Sequence, residues 1–366
     1  MIGLALSGGG SRAIAFHLGC LRALNDLGIL DRIGVISTIS GGSIIGAYFA
    51  YTPDKEFAEF DADVRRFLRQ GFQWPAIYEL LRPWNLSRCG VSFLLSYGDA
   101  LTSRIRGAEP TYARSISRTD IFANVLRQNL FQNIRMSSPR RNNINVVIGA
   151  CEIRSGIAFR FGNEASGDWR HGELIDWDAD VGFATAASAA YPLFLPSLDR
   201  TWVFRKNGVE SEQRVLISDG GLYDNLGVEV LEPYRDHKYS LHVFPCDYLI
   251  VCNAGRGQES GTSTPTTFLP RVTRSFEIVH RRVQESAMGR LHYLRKVGAI
   301  KGFVMPYLGQ QDTALPWEPL DLIPREEVIS YPTDFGAMSN EWINKLANRG
   351  EQLTRGLVDY YLTDLL

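Results

Sequence analysis

Two strand-to-helix passages packed into the first fifty residues constrain this chain more than any other feature. Residues 2–7 form a short apolar run that ends at Gly8-Gly9-Gly10, and residues 13–27 then place apolar side chains at helical spacing up to Gly28. Residues 35–39 are a second β-rich run. It breaks at Ser40-Gly41-Gly42, and residues 43–51 resume helical spacing. Parallel strands cannot be joined by a tight turn, and a helix is the usual way back. The opening of the chain therefore predicts a parallel sheet covered by helices.

Further strands are predicted at residues 145–153, 157–161, 215–218, 248–253 and 302–307, with a small-residue helix at 183–190 and a long polar helix at 271–297. Residues 255–265, rich in Gly, Ser and Thr, read as a surface loop. Residues 52–140 carry helical patterns and few strand signals. The expected partition is one domain over residues 1–366 with a helical insertion at about 52–140, and 45% apolar residues suffice for its core. A formal net charge of −1 gives no long-range attraction to nucleic acid or to an anionic membrane, so any such contact would need a local patch. The five cysteines, Cys20, Cys89, Cys151, Cys246 and Cys252, lack metal-ligand spacing and read as reduced, mostly buried thiols of a cytoplasmic protein. No apolar run is long enough to span a bilayer, and no basic stretch precedes an apolar one at the N-terminus. The expectation is a soluble protein, at most peripheral to a membrane, and nothing signals an oligomeric state.

Three segments could carry chemistry. A nucleophilic serine has to project from a tight, strained turn between a strand and a helix, which demands small neighbours two positions away. Thr38-Ile39-Ser40-Gly41-Gly42 fits on the C-terminal side and has threonine in place of glycine on the other. The same residues would also serve as a plain glycine-rich turn. Gly8-Gly9-Gly10-Ser11-Arg12 can aim backbone N–H groups at an anion, with the positive end of the next helix behind them. Gly8-x-Gly10-x-x-Ala13 also satisfies a dinucleotide-binding fingerprint, with Asp31 as its acidic residue, which makes a nucleotide-binding oxidoreductase the alternative reading. Asp31, however, precedes the second strand rather than ending it. In the third segment an apolar strand delivers Asp219 to its C-terminal end, where Gly220-Gly221 lets the chain turn away. Alone, Asp-Gly-Gly is a common turn.

Taken together, a glycine-rich turn, a serine turn about 30 residues on and a distant strand-end Asp-Gly-Gly resemble the patatin-like phospholipase family. The segment Ala184-Thr185-Ala186-Ala187-Ser188-Ala189-Ala190-Tyr191-Pro192, continued by Leu193-Phe194-Leu195-Pro196, is similar to that family's helix-to-proline stretch. The likeness covers residues 1–51 and 184–226. It implies an α/β three-layer sandwich with a mostly parallel central sheet, and a lipid acyl hydrolase of the phospholipase A or lysophospholipase type. It further implies a Ser-Asp dyad with Ser40 as nucleophile and Asp219 as general base, working through an acyl-enzyme. The oxyanion hole would draw on Gly8, Gly9, Gly10 and Gly41, with Arg12, Gly42, Gly220 and Gly221 in support. No metal and no organic cofactor is implied, and the substrate is a lipid. A non-catalytic interaction protein on the same fold, with Thr38 marking a decayed turn, is a further alternative.

An unperturbed aspartate is a poor base at neutral pH, so the dyad calls for a partly desolvated cleft. Of the histidines, His237, His242, His280 and His292 follow Asp219 in the order an ordinary triad would need, yet none lies in a glycine-flanked strand-end loop. His17 reads as structural. The aromatic-rich stretch 72–95 suggests a cap or an interfacial surface, although most of its apolar residues are expected to form the insertion's core. The arginines of the polar helix, Arg271 to Arg295, read chiefly as a solvated face. No segment resembles a nucleic-acid module.

Overall fold

The protein is described by a computed structural model that covers residues 1–366 apart from 53–55, 142, 259–263 and 320. The middle of the expected surface loop 255–265 thus lies outside the described residues. Ten strands form one sheet: β1 (Ile2–Leu6), β2 (Ile33–Ile39), β3 (Asn145–Glu152), β4 (Ile157–Gly162), β5 (Ser166–Asp168), β6 (Gly172–Leu174), β7 (Leu198–Lys206), β8 (Val209–Asp219), β9 (Tyr248–Cys252) and β10 (Gly302–Val304). Helix α1 (Gly10–Asp26) carries the chain from β1 to β2, and α2 (Gly41–Tyr51) leaves β2. Strands β10, β9, β1, β2 and β3 lie side by side, all parallel.

The expected three-layer sandwich with a mostly parallel central sheet does not form. From β3 onward every pairing is antiparallel, and β8 returns to pair with β3. Strands β3 to β8 therefore close into a six-stranded antiparallel barrel, to which β2, β1, β9 and β10 are added as a parallel wing. Connection length is the physical reason. The links β3–β4, β4–β5, β5–β6 and β7–β8 are two to four residues long, far too short for a parallel crossover. Asn207-Gly208 joins β7 to β8 with φ of 52° and 79°, the paired positive values of a two-residue hairpin turn.

In the parallel wing both faces are covered, and successive residues alternate between them. Leu4, Leu6, Ile36, Val146 and Ile148 pack with α1, α2 and α9 (Asn340–Tyr361). Ala5, Val35, Val147, Leu249 and Val251 pack on the other face, against Leu226, Val228 and residues Ala287 and Leu291 of α8 (Phe268–Lys296). Helix α8 matches the predicted polar helix. Between β2 and β3 the chain forms α3 (Phe57–Gln70), α4 (Gln73–Leu81), α5 (Pro83–Arg106) and α6 (Arg118–Leu126), and α7 (Val181–Ser188) leads towards β7. All five cysteines are free and buried, as their scattered placement predicts.

Thr38, in place of the expected glycine, is accommodated by α2. It is fully buried, and its hydroxyl donates to the Val147 carbonyl at 3.3 Å. A Cβ at Gly46 would stand 2.5 Å from the Thr38 methyl. The space absent at position 38 is supplied at position 46. Gly46→Ala is expected to destabilise the fold by a net ~1–2 kcal/mol despite alanine's better helix propensity, because overpacking outweighs it. Thr38→Gly in the same chain should recover most of that loss. Urea unfolding of the two single variants and the double variant checks this, and simple additivity would refute the coupling.

Candidate active site

The meeting of Ser40 and Asp219 is written into the register of one strand. Along a single edge of β3, the first half pairs with β2 in parallel, ending with Ile39 opposite Gly149. The second half of that edge pairs with β8 in antiparallel sense, beginning with Asp219 opposite Ala150. Strands β2 and β8 thus approach head to head, and their C-terminal ends stop at consecutive residues of β3. The residue that follows β2 is Ser40, and the residue that ends β8 is Asp219. A separation of 179 positions in sequence closes to neighbouring places on one sheet edge.

Ser40 sits at φ 53° and ψ −118°, a left-handed φ that non-glycine residues adopt at a cost of ~1–3 kcal/mol. Three contacts impose it. Its amide donates to Ser188 Oγ at 2.9 Å, Ser43 Oγ lies 2.8 Å from the same oxygen, and the Ser188 hydroxyl reaches the Gly149 carbonyl at 2.5 Å. Gly41 then passes so close to the first glycine turn that a Cβ there would stand 2.3 Å from the Gly10 carbonyl. Only glycine permits that approach. The two glycine-rich turns are therefore pressed together, with Ser40 between them and Asp219.

Asp219 is 4% exposed. One carboxylate oxygen accepts the Gly221 amide at 2.7 Å, and its own amide donates to the Ala190 carbonyl at 3.1 Å. Burial pushes its pKa up to about 7, against the opposing pull of the Gly221 amide and of the Ser40 side chain, which interacts with the carboxylate. The carboxylate is thus desolvated enough to exchange protons near neutrality. Tyr191 lies close enough to feel the Asp219 charge, and burial with that charge raises its hydroxyl to about 12.

The glycine turn divides its donors. The Gly8 amide is taken by the Asn225 carbonyl at 3.1 Å, and the Ser11 amide by the Asp334 carbonyl at 2.7 Å. No acceptor among the described residues takes the amides of Gly9 and Gly10, which open α1. Arg12 is buried. Its guanidinium donates to the carbonyls of Ala254 and Tyr331 at 3.1 and 3.0 Å and to the Thr333 hydroxyl at 2.7 Å. Burial, then the neighbouring Arg256, lowers its pKa to about 9. Arg12 thus clamps segment 331–334 over the glycine turn. Gly42 and Gly220 mark backbone crossings, where a Cβ would stand 2.3 Å from the carbonyls of Leu6 and Gly149 respectively.

Asp31 lies at the opposite end of β2, exposed and paired with Arg141 at 3.5 Å. At ~3.3 Å per residue, β2 holds it ~20 Å from the glycine turns, which leaves a dinucleotide fingerprint without its acidic partner. His17 lies under the glycine turn, 3.0 Å from the Ser7 carbonyl. His242 is buried against Gly162 and depressed to about 3 by burial and Arg160. His237 is exposed, and His292 rests on Phe303. His280 of α8 comes nearest to Asp219's turn: it reaches the backbone of Gly221 and packs at a tilt on Phe276, which meets Tyr191 at 5.6 Å. Helix α8 therefore lies against the turn that follows Asp219.

Three residues around Ser40 and Asp219 had no role assigned from the sequence. Ser188 links the serine turn to β3, and Ser218 Oγ donates to the Ala190 carbonyl at 2.8 Å, so the end of α7 ties both strand ends together. Asn225 fills the space against Gly8 and Gly221, where added Cβ atoms would stand 2.4 and 2.7 Å from its side-chain oxygen. The Asp-Gly-Gly-x-x-x-Asn spacing was the available signal.

A family profile described as patatin-like phospholipase matches residues 4–232. Patatin-like phospholipase domain-containing protein ZK370.4 of Caenorhabditis elegans is 35% identical over 104 residues, which span 28% of this chain and 7% of that one. Human GIVD cytosolic phospholipase A2 has a similar fold, with a TM-score of 0.53 at 12% identity over 97% of this chain and 61% of the human one. VipD from Legionella pneumophila aligns over 98% of this chain and 66% of its own, at 13% identity and a TM-score of 0.37. Both the glycine turns and the strand-end aspartate fall inside the span that the family profile matches, and the chain belongs to the patatin-like phospholipase family.

Proposed function

We propose that the protein is a lipid acyl hydrolase of the phospholipase A or lysophospholipase type, with Ser40 as nucleophile and Asp219 as general base. The observation that carries the reading is the head-to-head arrival of β2 and β8 on β3, which sets a strained serine beside a buried carboxylate with a pKa of about 7. In the first half-reaction Ser40 Oγ attacks the ester carbonyl while Asp219 takes its proton. The tetrahedral oxyanion draws hydrogen bonds from the amides of Gly9, Gly10 and Gly41, and the Gly8 amide, committed to Asn225, serves the shape of the turn. Collapse expels the alcohol, which receives the proton from Asp219. In the second half-reaction Asp219 takes a proton from water, the hydroxide attacks the acyl-serine, and the proton returns to Ser40 as the fatty acid leaves. Every step uses the chain's own groups. Five free thiols fit a reducing compartment such as the cytoplasm, and a lipid substrate brings the protein to a membrane surface at its periphery.

A fluorophosphonate should label the wild type at Ser40 and leave Ser40→Ala unlabelled, with hydrolysis of a soluble acyl ester reduced ~1,000-fold or more in both Ser40→Ala and Asp219→Asn. Labelling at another residue would end the assignment. Below a pKa of about 7 Asp219 holds its proton and cannot accept another. The kcat/KM for that ester should therefore rise about tenfold per pH unit in acid and level off above neutrality. A profile flat down to pH ~5 would contradict Asp219 as the base. Ser40→Gly should lose all activity yet gain ~1 kcal/mol of stability in urea, since glycine carries no penalty at this φ, whereas Ser40→Ala should gain nothing comparable. Ser188→Ala removes the acceptor of the Ser40 amide, and kcat should fall at least about tenfold while KM is unchanged.

A further inference from the structure

Helix α5 is amphipathic in the wrong sense for a protein surrounded by water. Its buried residues are Cys89, Ser92 and Ser103, all small and two of them hydroxylic. The opposite face presents Leu94, Leu101 and Ile105, spaced seven and four apart and 67%, 52% and 79% exposed. This orientation is held by specific bonds. Ser92 Oγ accepts the amides of Ser115 and Ile116 at 3.1 and 3.5 Å, and the Asp99 carboxylate accepts the Tyr112 amide at 2.7 Å. The polar face is therefore spoken for by the loop that follows, and the apolar face has to point outward. Helix α4 continues the surface: none of its residues is fully buried, and Trp74 and, just beyond, Trp84 are more than 70% exposed. The expectation that the apolar residues of 72–95 form an internal core thus holds for Phe72 and fails for most of the rest.

We propose that α4 and α5 form a hairpin that lies in the surface of an anionic lipid bilayer, apolar face down. The proposal rests on the acyl-hydrolase reading for the reason to meet lipid, while the surface stands on its own observations. Residues 73–118 hold six arginines against three carboxylates, a local positive excess in a chain whose net charge is −1. One of the three carboxylates, Asp99, is turned inward. Arg82 and Arg88 stack over the rings of Tyr78 and Trp84 at 5.5 and 5.7 Å, which sets cations beside amphipathic rings suited to the headgroup layer. No helix among the described residues is long and apolar enough to cross a membrane, so the fitting mode is one that lies in the interface.

The hairpin is also fastened to the dyad's surroundings. The Phe335 carbonyl accepts the amides of Phe72 and Gln73 at 2.8 and 3.2 Å, at the start of α4. The adjacent Asp334 carbonyl accepts the Ser11 amide beside Gly10. One short segment therefore joins the proposed lipid-facing hairpin to the glycine turn, so docking the hairpin brings the site to the bilayer.

Flotation with phosphatidylcholine–phosphatidylglycerol vesicles tests the idea without catalysis, in a Ser40→Ala background. Binding should fall about tenfold or more in Leu94→Glu/Leu101→Glu/Ile105→Glu, because three charges enter the buried face. It should weaken in Arg88→Glu/Arg106→Glu and on pure phosphatidylcholine. Tryptophan emission should shift to the blue on binding, and the shift should vanish in Trp74→Phe/Trp84→Phe. With Ser40 restored, the triple-glutamate chain should hydrolyse a soluble ester at the wild-type rate and lose activity on vesicles. Unchanged flotation of both charge variants overturns the proposal. So does a triple variant that sediments as a monomer where the wild type is a dimer, with flotation unaltered, which would assign the face to a second copy of the chain. Failure of soluble-ester hydrolysis in the wild type would sink the hydrolase reading and leave the flotation result intact.

Discussion

The structure depends on β3 serving two strands along one edge. A strand edge offers one row of donors and acceptors, and here the row is divided: five residues pair with β2 and the next three with β8. Because β2 runs with β3 and β8 runs against it, both must end where the row changes hands. No loop has to be ordered to bring Ser40 and Asp219 together. Backbone hydrogen bonding does so, and the rigidity of the site is that of a sheet.

The same junction explains the electrostatics. Asp219 terminates the buried end of β8, and its carboxylate accepts the backbone amide of Gly221. One amide and one nearby hydroxyl do not offset the loss of water, so the carboxyl titrates near neutrality instead of near pH 4. A second amide donor would lower it again. The Ser188 hydroxyl plays the complementary part. It takes the Ser40 amide and gives its proton to Gly149, holding the strained turn against the very strand that positions the aspartate.

Burial in the parallel wing follows ordinary rules, and α4 and α5 contrast with it. The parallel wing buries apolar residues on both faces. Helix α5 buries Ser92 and Ser103 and shows its leucines. Such an arrangement is costly in water and favourable only where another apolar phase covers it.

Much of the site was legible in the amino-acid order because its parts are local. Glycines that must turn or approach closely, a serine between strand and helix, and an aspartate at a strand end each leave a trace within a few residues, and the helix spacing of 13–27 and 271–297 is equally local. The barrel was legible only in part. Asn207-Gly208 announces a hairpin, but β5 and β6 are three residues each, too short for any periodicity to register, and the closure of β8 on β3 is a long-range pairing. Which carboxylate loses its water, how Thr38 finds room through Gly46, that Gly8 spends its amide on Asn225, and which face of α5 meets the outside were decided by tertiary structure alone. Each is a property of atoms distant in sequence brought within contact, and no local pattern records such a meeting.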